Sequence, residues 1–149
     1  MPLKPFPYPP IPPFSPLICY EIAFPREVIN PHIQRPQWIL NITNDAWFGT
    51  STGPYQHLQM AQVRATEEGL PVIRVANTGI SAVIDPHGRI LKSLPLNQTG
   101  IIETHIPTAL SATFYATYGN WTISLAVILI WLMMGGIYTA RTRLRKNVP

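Results

Sequence analysis

Apolar positions fall into short runs broken by polar turns, with one long run near the C-terminus. Leu17-Ile18-Cys19-Tyr20 predicts a first buried strand, and Phe24 to Ile29 a helical turn or short helix. Trp38-Ile39-Leu40-Asn41-Ile42 predicts a second strand, ended by the polar turn Thr43-Asn44-Asp45. A helix fits Tyr55 to Glu68, because Leu58, Ala61 and Ala65 share one side at helical spacing. Pro54 suits its first position, Gly69 suits a left-handed stop, and Pro71 prevents continuation. Val72 to Ala76 predicts a third strand. Ser81 to Ile84 and Arg89 to Leu94 flank Asp85-Pro86-His87-Gly88, which reads as a hairpin turn, and Gly100 to Ile106 reads as a last strand. Strands alternating with a helix and then a hairpin predict an α/β fold with a mixed sheet.

The long run, Trp121 to Ala140, holds no charged residue. A helix of about 20 residues spans about 30 Å, the hydrocarbon thickness of a bilayer. Trp121 and Tyr138 sit near its ends, where aromatic belts form. The expectation is a transmembrane helix over 119–140 followed by a basic tail, 141–149. A buried core helix is the competing reading, but core helices rarely run so long without a charge. The positive-inside rule puts the tail in the cytoplasm and the globular part outside.

The other end, MPLKPFPYPPIPPFSP over 1–16, is rich in proline, which fixes φ and lacks an N–H. It is expected to form a loop or polyproline stretch rather than a ladder. A ligand for a proline-recognition domain is an alternative, less favoured than the remnant of a loop crossing the site.

Composition changes this picture in two ways. The net charge of +4 is concentrated in the tail, at Arg141, Arg143, Arg145 and Lys146, so it marks no basic nucleic-acid-binding face. Apolar residues make up 46%, too many for a disordered chain despite 17 prolines.

Cys19 is the single cysteine, which excludes an internal disulfide and a cysteine-based zinc site. Composition alone favours a small core residue. Its place at a strand end, before Tyr20-Glu21, is also where a nucleophile would stand rigid and exposed, the next backbone N–H aimed at an oxyanion. A thiol needs activation to thiolate, so a base and a cationic or N–H stabiliser should stand nearby.

Four blocks sharpen this reading. Ile-Cys-Tyr-Glu (18–21), Asn-Ile-Thr-Asn-Asp-Ala-Trp-Phe-Gly (41–49), Gln-His-Leu-Gln-Met-Ala-Gln-Val-Arg-Ala-Thr-Glu-Glu-Gly (56–69) and Arg-Val-Ala-Asn-Thr-Gly (74–79) resemble the nitrilase, or carbon–nitrogen hydrolase, superfamily. Within it they resemble the apolipoprotein N-acyltransferases, over roughly residues 16 to 140. The resemblance implies part of an α-β-β-α sandwich, with 17–110 as the C-terminal part of such a domain. It implies a ping-pong reaction needing no cofactor or metal. The cysteine takes an acyl chain from a phospholipid, and the α-amine of a diacylglyceryl-cysteine apolipoprotein then takes it from the thioester. It makes Cys19 the nucleophile, the Tyr20 backbone N–H an oxyanion contact and Glu21 a supporting residue, holding the elbow by hydrogen bonds. It implies a bacterial inner-membrane protein, multi-pass in full-length members and single-pass here, with a periplasmic globular part.

One departure stands out. The family's triad is Glu-Lys-Cys, with Glu and Lys upstream. Here the residues before Cys19 hold no Glu, and Lys4 is too near to match; Glu27, Glu67 and Glu68 follow the cysteine. The expectation is a C-terminal fragment that is inactive alone. A membrane-anchored remnant without activity and a nitrilase-type amide hydrolase are the competing functions.

Other residues divide between chemistry and structure. Asn44-Asp45 shapes the site mouth or makes an ordinary Asx turn. Trp47 and Phe48 contact acyl chains or fill the core. Arg64 and Glu67 read as a structural pair. His57, His87 and His105 lack metal-ligand spacing. The glycosylation-like triplets at Asn41, Asn97 and Asn120 read as chance matches, the first within a strand.

Overall fold

The computed structural model describes residues 11–30 and 34–146. Most of the Pro-rich segment, 1–10, and the last residues of the tail lie outside them, as do the tail side chains from 139 onward. Five strands form one sheet in chain order: β1 (Phe14–Ile18), β2 (Trp38–Asn44), β3 (Val72–Asn77), β4 (Ser81–Ile84) and β5 (Ile90–Leu94). β1, β2 and β3 run parallel, whereas β4 and β5 are antiparallel additions. A mixed sheet with a crossover helix is the expected α/β class.

The crossover between β2 and β3 is α1 (Gly53–Glu68). Pro54 lies in its first turn, and Gly69 ends it at φ 66° with its N–H on the Ala65 carbonyl. Only a residue without Cβ takes that conformation cheaply, so the stop is written into the sequence. Leu58, Ala61 and Ala65 are buried against the sheet. Small alanines let the helix approach closely, over a core of Leu17, Ile22, Val28, Ile39, Leu70, Val72, Ile80, Ala82 and Ile84.

Three expectations are corrected. The first strand is Phe14–Ile18, not Leu17–Tyr20, and it takes Ser15 and Pro16 into the ladder. β1 lies at the sheet edge, where a missing N–H is tolerated. Cys19–Ala23 instead forms a 3-10 helix, so the helical turn falls five residues earlier than the expected Phe24–Ile29. Residues 100–106 make no strand. They run beside β5 with Lys92 Nζ donating to the Glu103 carbonyl at 2.7 Å, a side-chain contact in place of a ladder.

The chain divides into two compact units, Met1–Ala116 and Thr117–Pro149. A short α2 (Phe114–Tyr118) precedes α3 (Trp121–Lys146), the main element of the second unit. The described side chains of α3 include Val127, Leu129, Trp131, Met133 and Tyr138, all exposed. Among the described residues no helix is long and apolar enough to cross a membrane. The side chains at 123 and beyond 138 lie outside them, leaving 124–138 as the uninterrupted stretch. The expected transmembrane span over 119–140 is thus not found among the described residues.

Candidate active site

Cys19 stands where β1 gives way to the 3-10 helix, half-buried, at φ 52°. A non-glycine residue in the left-handed region is uncommon, and such strain persists only where its surroundings impose it. Two side chains do so. Glu21 Oε2 accepts from the Ile18 N–H at 2.6 Å, tying the residue before the turn to the one after it. Asn41 Nδ2 donates to the carbonyls of Leu17 at 3.4 Å and Cys19 at 3.2 Å. Tyr20 occupies the first turn of the 3-10 helix, where leading N–H groups lack intrahelical partners. Its ring lies 5.5 Å from that of His57.

Beneath Cys19 the sheet is polar where it should be apolar. Register aligns Leu17, Asn41, Arg74 and Ala82 across β1 to β4, and all four are buried. Two of the four positions thus carry polar groups that need partners. Arg74 supplies them as a fork: Nη1 donates to Asn41 Oδ1 at 2.5 Å and Nη2 to Asp45 Oδ2 at 2.6 Å. Asp45 also accepts from His57 Nδ1 at 2.9 Å and lies 3.2 Å from Thr43 Oγ1. The same Thr43 hydroxyl is 3.5 Å from Cys19 Sγ. Burial pulls the Arg74 pKa down. The Asp45 charge and hydrogen bond, and beyond them the Cys19 charge, pull it up. His57 Nε2 and Arg74 Nε are buried without a hydrogen-bond partner among the described residues.

The structure brings Cys19, Tyr20 and Glu21 together at one turn and sets Asp45 and His57 beneath it. Asn44 Oδ1 does accept from the Ala46 N–H, an Asx turn capping the 3-10 helix Asp45–Phe48. Trp47 is 86% exposed, which excludes a core role, while the Phe48 ring lies 6.0 Å from His57. Arg64 and Glu67 form an ion pair at 3.1 Å along α1. His87 lies in the β4–β5 turn and His105 is exposed on an irregular segment. No group of described residues is placed to hold a metal ion. Asn41 is wholly buried, so its glycosylation-like triplet is no accessible acceptor. A hollow of about 550 Å³ beside β1 is lined by Phe14, Glu21 and Val28 but not by Cys19, so it does not mark the thiol's site.

Asn41, Thr43 and Arg74 lie within the blocks that carry the resemblance, but those blocks do not name their roles. Their signal is a polar residue at an inward strand position: Ile39, Asn41 and Thr43 alternate inward on β2, as Val72 and Arg74 do on β3.

Comparison with known proteins finds similarity over most of the chain. The carbon-nitrogen hydrolase family model matches residues 6–115. An apolipoprotein N-acyltransferase of Rhodopseudomonas palustris is 50% identical over 123 residues, 83% of this chain and 23% of that protein. One from Bradyrhizobium diazoefficiens is 50% identical over 143 residues, 96% of this chain and 26% of its own length. One from Agrobacterium fabrum is 46% identical over 134 residues, 90% and 25% respectively. The chain spans about a quarter of the length of these curated relatives.

Proposed function

The chain belongs to the carbon–nitrogen hydrolase family, and from that premise we propose that it carries the nucleophile-bearing part of a lipoprotein N-acyltransferase. The observation that supports this most is Cys19 itself, held left-handed at a strand end over a buried Arg74–Asp45 pair. In this reading the Cys19 thiolate attacks the ester carbonyl of a phospholipid. The Tyr20 N–H receives the developing oxyanion. Collapse of the tetrahedral intermediate expels the lysophospholipid alkoxide, which takes a proton, and leaves an acyl thioester. The α-amine of a diacylglyceryl-cysteine apolipoprotein then attacks the thioester, loses a proton and releases the thiolate. Glu21 holds the elbow through the Ile18 N–H. The exposed Trp47 is suited to an acyl chain or a lipid surface.

The substrates imply a bacterial inner membrane. We place residues 119–140 across it, with the globular part on the periplasmic side and the tail of 141–149 in the cytoplasm.

A second reading, a membrane-anchored piece without turnover, draws on a specific observation. The carboxylates of Glu21 and Asp45 are both engaged: Glu21 by Ile18, and Asp45 by Arg74, His57 and Thr43. Neither stands ready to take the thiol proton. These residues alone should therefore show no N-acylation on phospholipid and apolipoprotein. An activated aryl ester asks less of the base, because its leaving group needs no help. Such an ester should acylate Cys19 in the wild type, seen by mass spectrometry as a hydroxylamine-labile adduct, and leave Cys19→Ser unmodified. Absence of an adduct on wild-type Cys19 would remove it from the mechanism.

A further inference from the structure

We propose that Arg74 is a positioning residue for Cys19, acting through two separate polar arms. The inference rests on Cys19 being the nucleophile, but its geometry stands apart from that reading. One arm runs through Asn41. Arg74 Nη1 fixes the Asn41 carbonyl oxygen, which orients the amide so that Nδ2 faces the Leu17 and Cys19 carbonyls. That contact spans the strand end and the turn, and so holds the left-handed backbone at Cys19. An amide free to rotate would offer either its oxygen or its nitrogen, and the oxygen would repel both carbonyls.

The other arm runs through Asp45. Arg74 Nη2 anchors Asp45 Oδ2, while Oδ1 sits between His57 Nδ1 and Thr43 Oγ1. The Thr43 hydroxyl has one hydrogen and two acceptors in range, Asp45 Oδ1 and Cys19 Sγ. With Cys19 as a thiol, that hydrogen goes to Asp45. With Cys19 as a thiolate, it turns to the sulfur, and Asp45 keeps its other donors. The carboxylate thus parks a donor beside the sulfur without competing for the charge. A planar guanidinium is needed because one fork must meet two acceptors at once, Asn41 on β2 and Asp45 at the start of the 3-10 helix that follows it, and a lysine ammonium cannot present the same fork.

Four variants of the whole chain, in lipid nanodiscs, test this. Arg74→Lys keeps the charge but not the fork. Asn41→Asp keeps the acceptor for Arg74 and removes the donor to Cys19. Thr43→Val removes the hydroxyl at constant shape, and Arg89→Ala, at an exposed side chain, is the control. Two readouts are compared: the backbone ¹³C shifts of Cys19, which report its left-handed conformation, and the rate of its acylation by an aryl ester.

Arg74→Lys and Asn41→Asp should move the Cys19 shifts and slow acylation roughly tenfold to a hundredfold, as small misplacements of a reacting group do. Thr43→Val should slow acylation with the shifts unmoved, and Arg89→Ala should match the wild type. Should Arg74→Lys fail to fold, Asn41→Asp decides, since it keeps the Arg74–Asp45 pair. Wild-type shifts and wild-type rates in Asn41→Asp overturn the proposal. A wild-type chain that the ester leaves unmodified, with shifts still moving in Asn41→Asp, supports the positioning and sinks the nucleophile reading.

Discussion

At the scale of single residues, what matters most is a charge pair in a place that should be oil. Arg74 and Asp45 are 2.6 Å apart with both side chains fully buried. Two such charges stay in the interior only while they satisfy each other, and removing one partner costs about 3–5 kcal/mol. The pair is also protected from one side by what is missing. A Cβ at Gly79 would fall 2.3 Å from Asp45 Oδ2, so the β3–β4 turn must carry glycine there to let the carboxylate approach Arg74. Gly79→Ala should therefore act like loss of the pair, although position 79 contributes no side chain to it. We expect a loss of about 3 kcal/mol or more in chemical denaturation. A stability within about 0.5 kcal/mol of wild type would show that the Asp45 carboxylate has room to move. The chemistry-bearing residue and its neighbours at 18–21 are legible because they are contiguous. The pair beneath is not, because its partners lie 29 positions apart and meet only through β2–β3 register.

At the scale of elements, legibility follows how local the cause is. α1 is readable to within two residues of its start and to its last residue, since Pro54 and Gly69 act on adjacent backbone. β4 is read in full because the Asp85–Gly88 turn sets its end. β1 is misplaced because proline excludes a central strand, and only the assembled sheet shows that this strand is an edge. The segment 100–106 alternates like a strand but lacks a ladder, which no local pattern reports. α1 also carries a conflict at its C-terminal end. Glu67 and Glu68 sit in the last turn, where the helix dipole disfavours negative charge. Burial raises the Glu68 pKa, only partly offset by Arg35. A raised folded-state pKa stabilises fully below the unfolded value of about 4.3 and is lost as pH rises through the folded value. Glu68→Gln, neutral at every pH, should thus be more stable than wild type at pH 7 by about 0.5 kcal/mol, the size of a helix-end charge effect. The gain should vanish below pH 4. Thermal melts at the two pH values check this, and a Gln variant less stable at pH 7 would mean that Glu68 is held by its charge.

At the scale of the molecule, both units show apolar surface that water does not favour. In the first unit, Ile18, Ile42 and Val75 align across β1, β2 and β3 on the face opposite α1, at 58%, 47% and 51% exposure. An α-β-β-α sandwich would set a second sheet against such a face, and the described residues supply one sheet with α1 on its other side. In the second unit α3 is apolar and exposed on every side along 124–138. A helix without a polar face has no orientation that satisfies water, so it belongs in a protein core or in lipid. The proposal of lipid draws on the uncharged stretch that ends at Ala140 and the basic residues that begin at Arg141. Under the proposed placement, each Lys or Arg beside an anionic leaflet would add about 1 kcal/mol toward keeping that end on the cytoplasmic side. Expressed in bacteria, the chain should stay with membranes through alkaline carbonate extraction, and a chain lacking 119–149 should be released by it. A cysteine at Asn147→Cys in a Cys19→Ser background should resist an impermeant maleimide until the cells are opened. Labelling of intact cells would invert the topology, and extraction of the whole chain by carbonate would leave α3 at the membrane surface rather than across it.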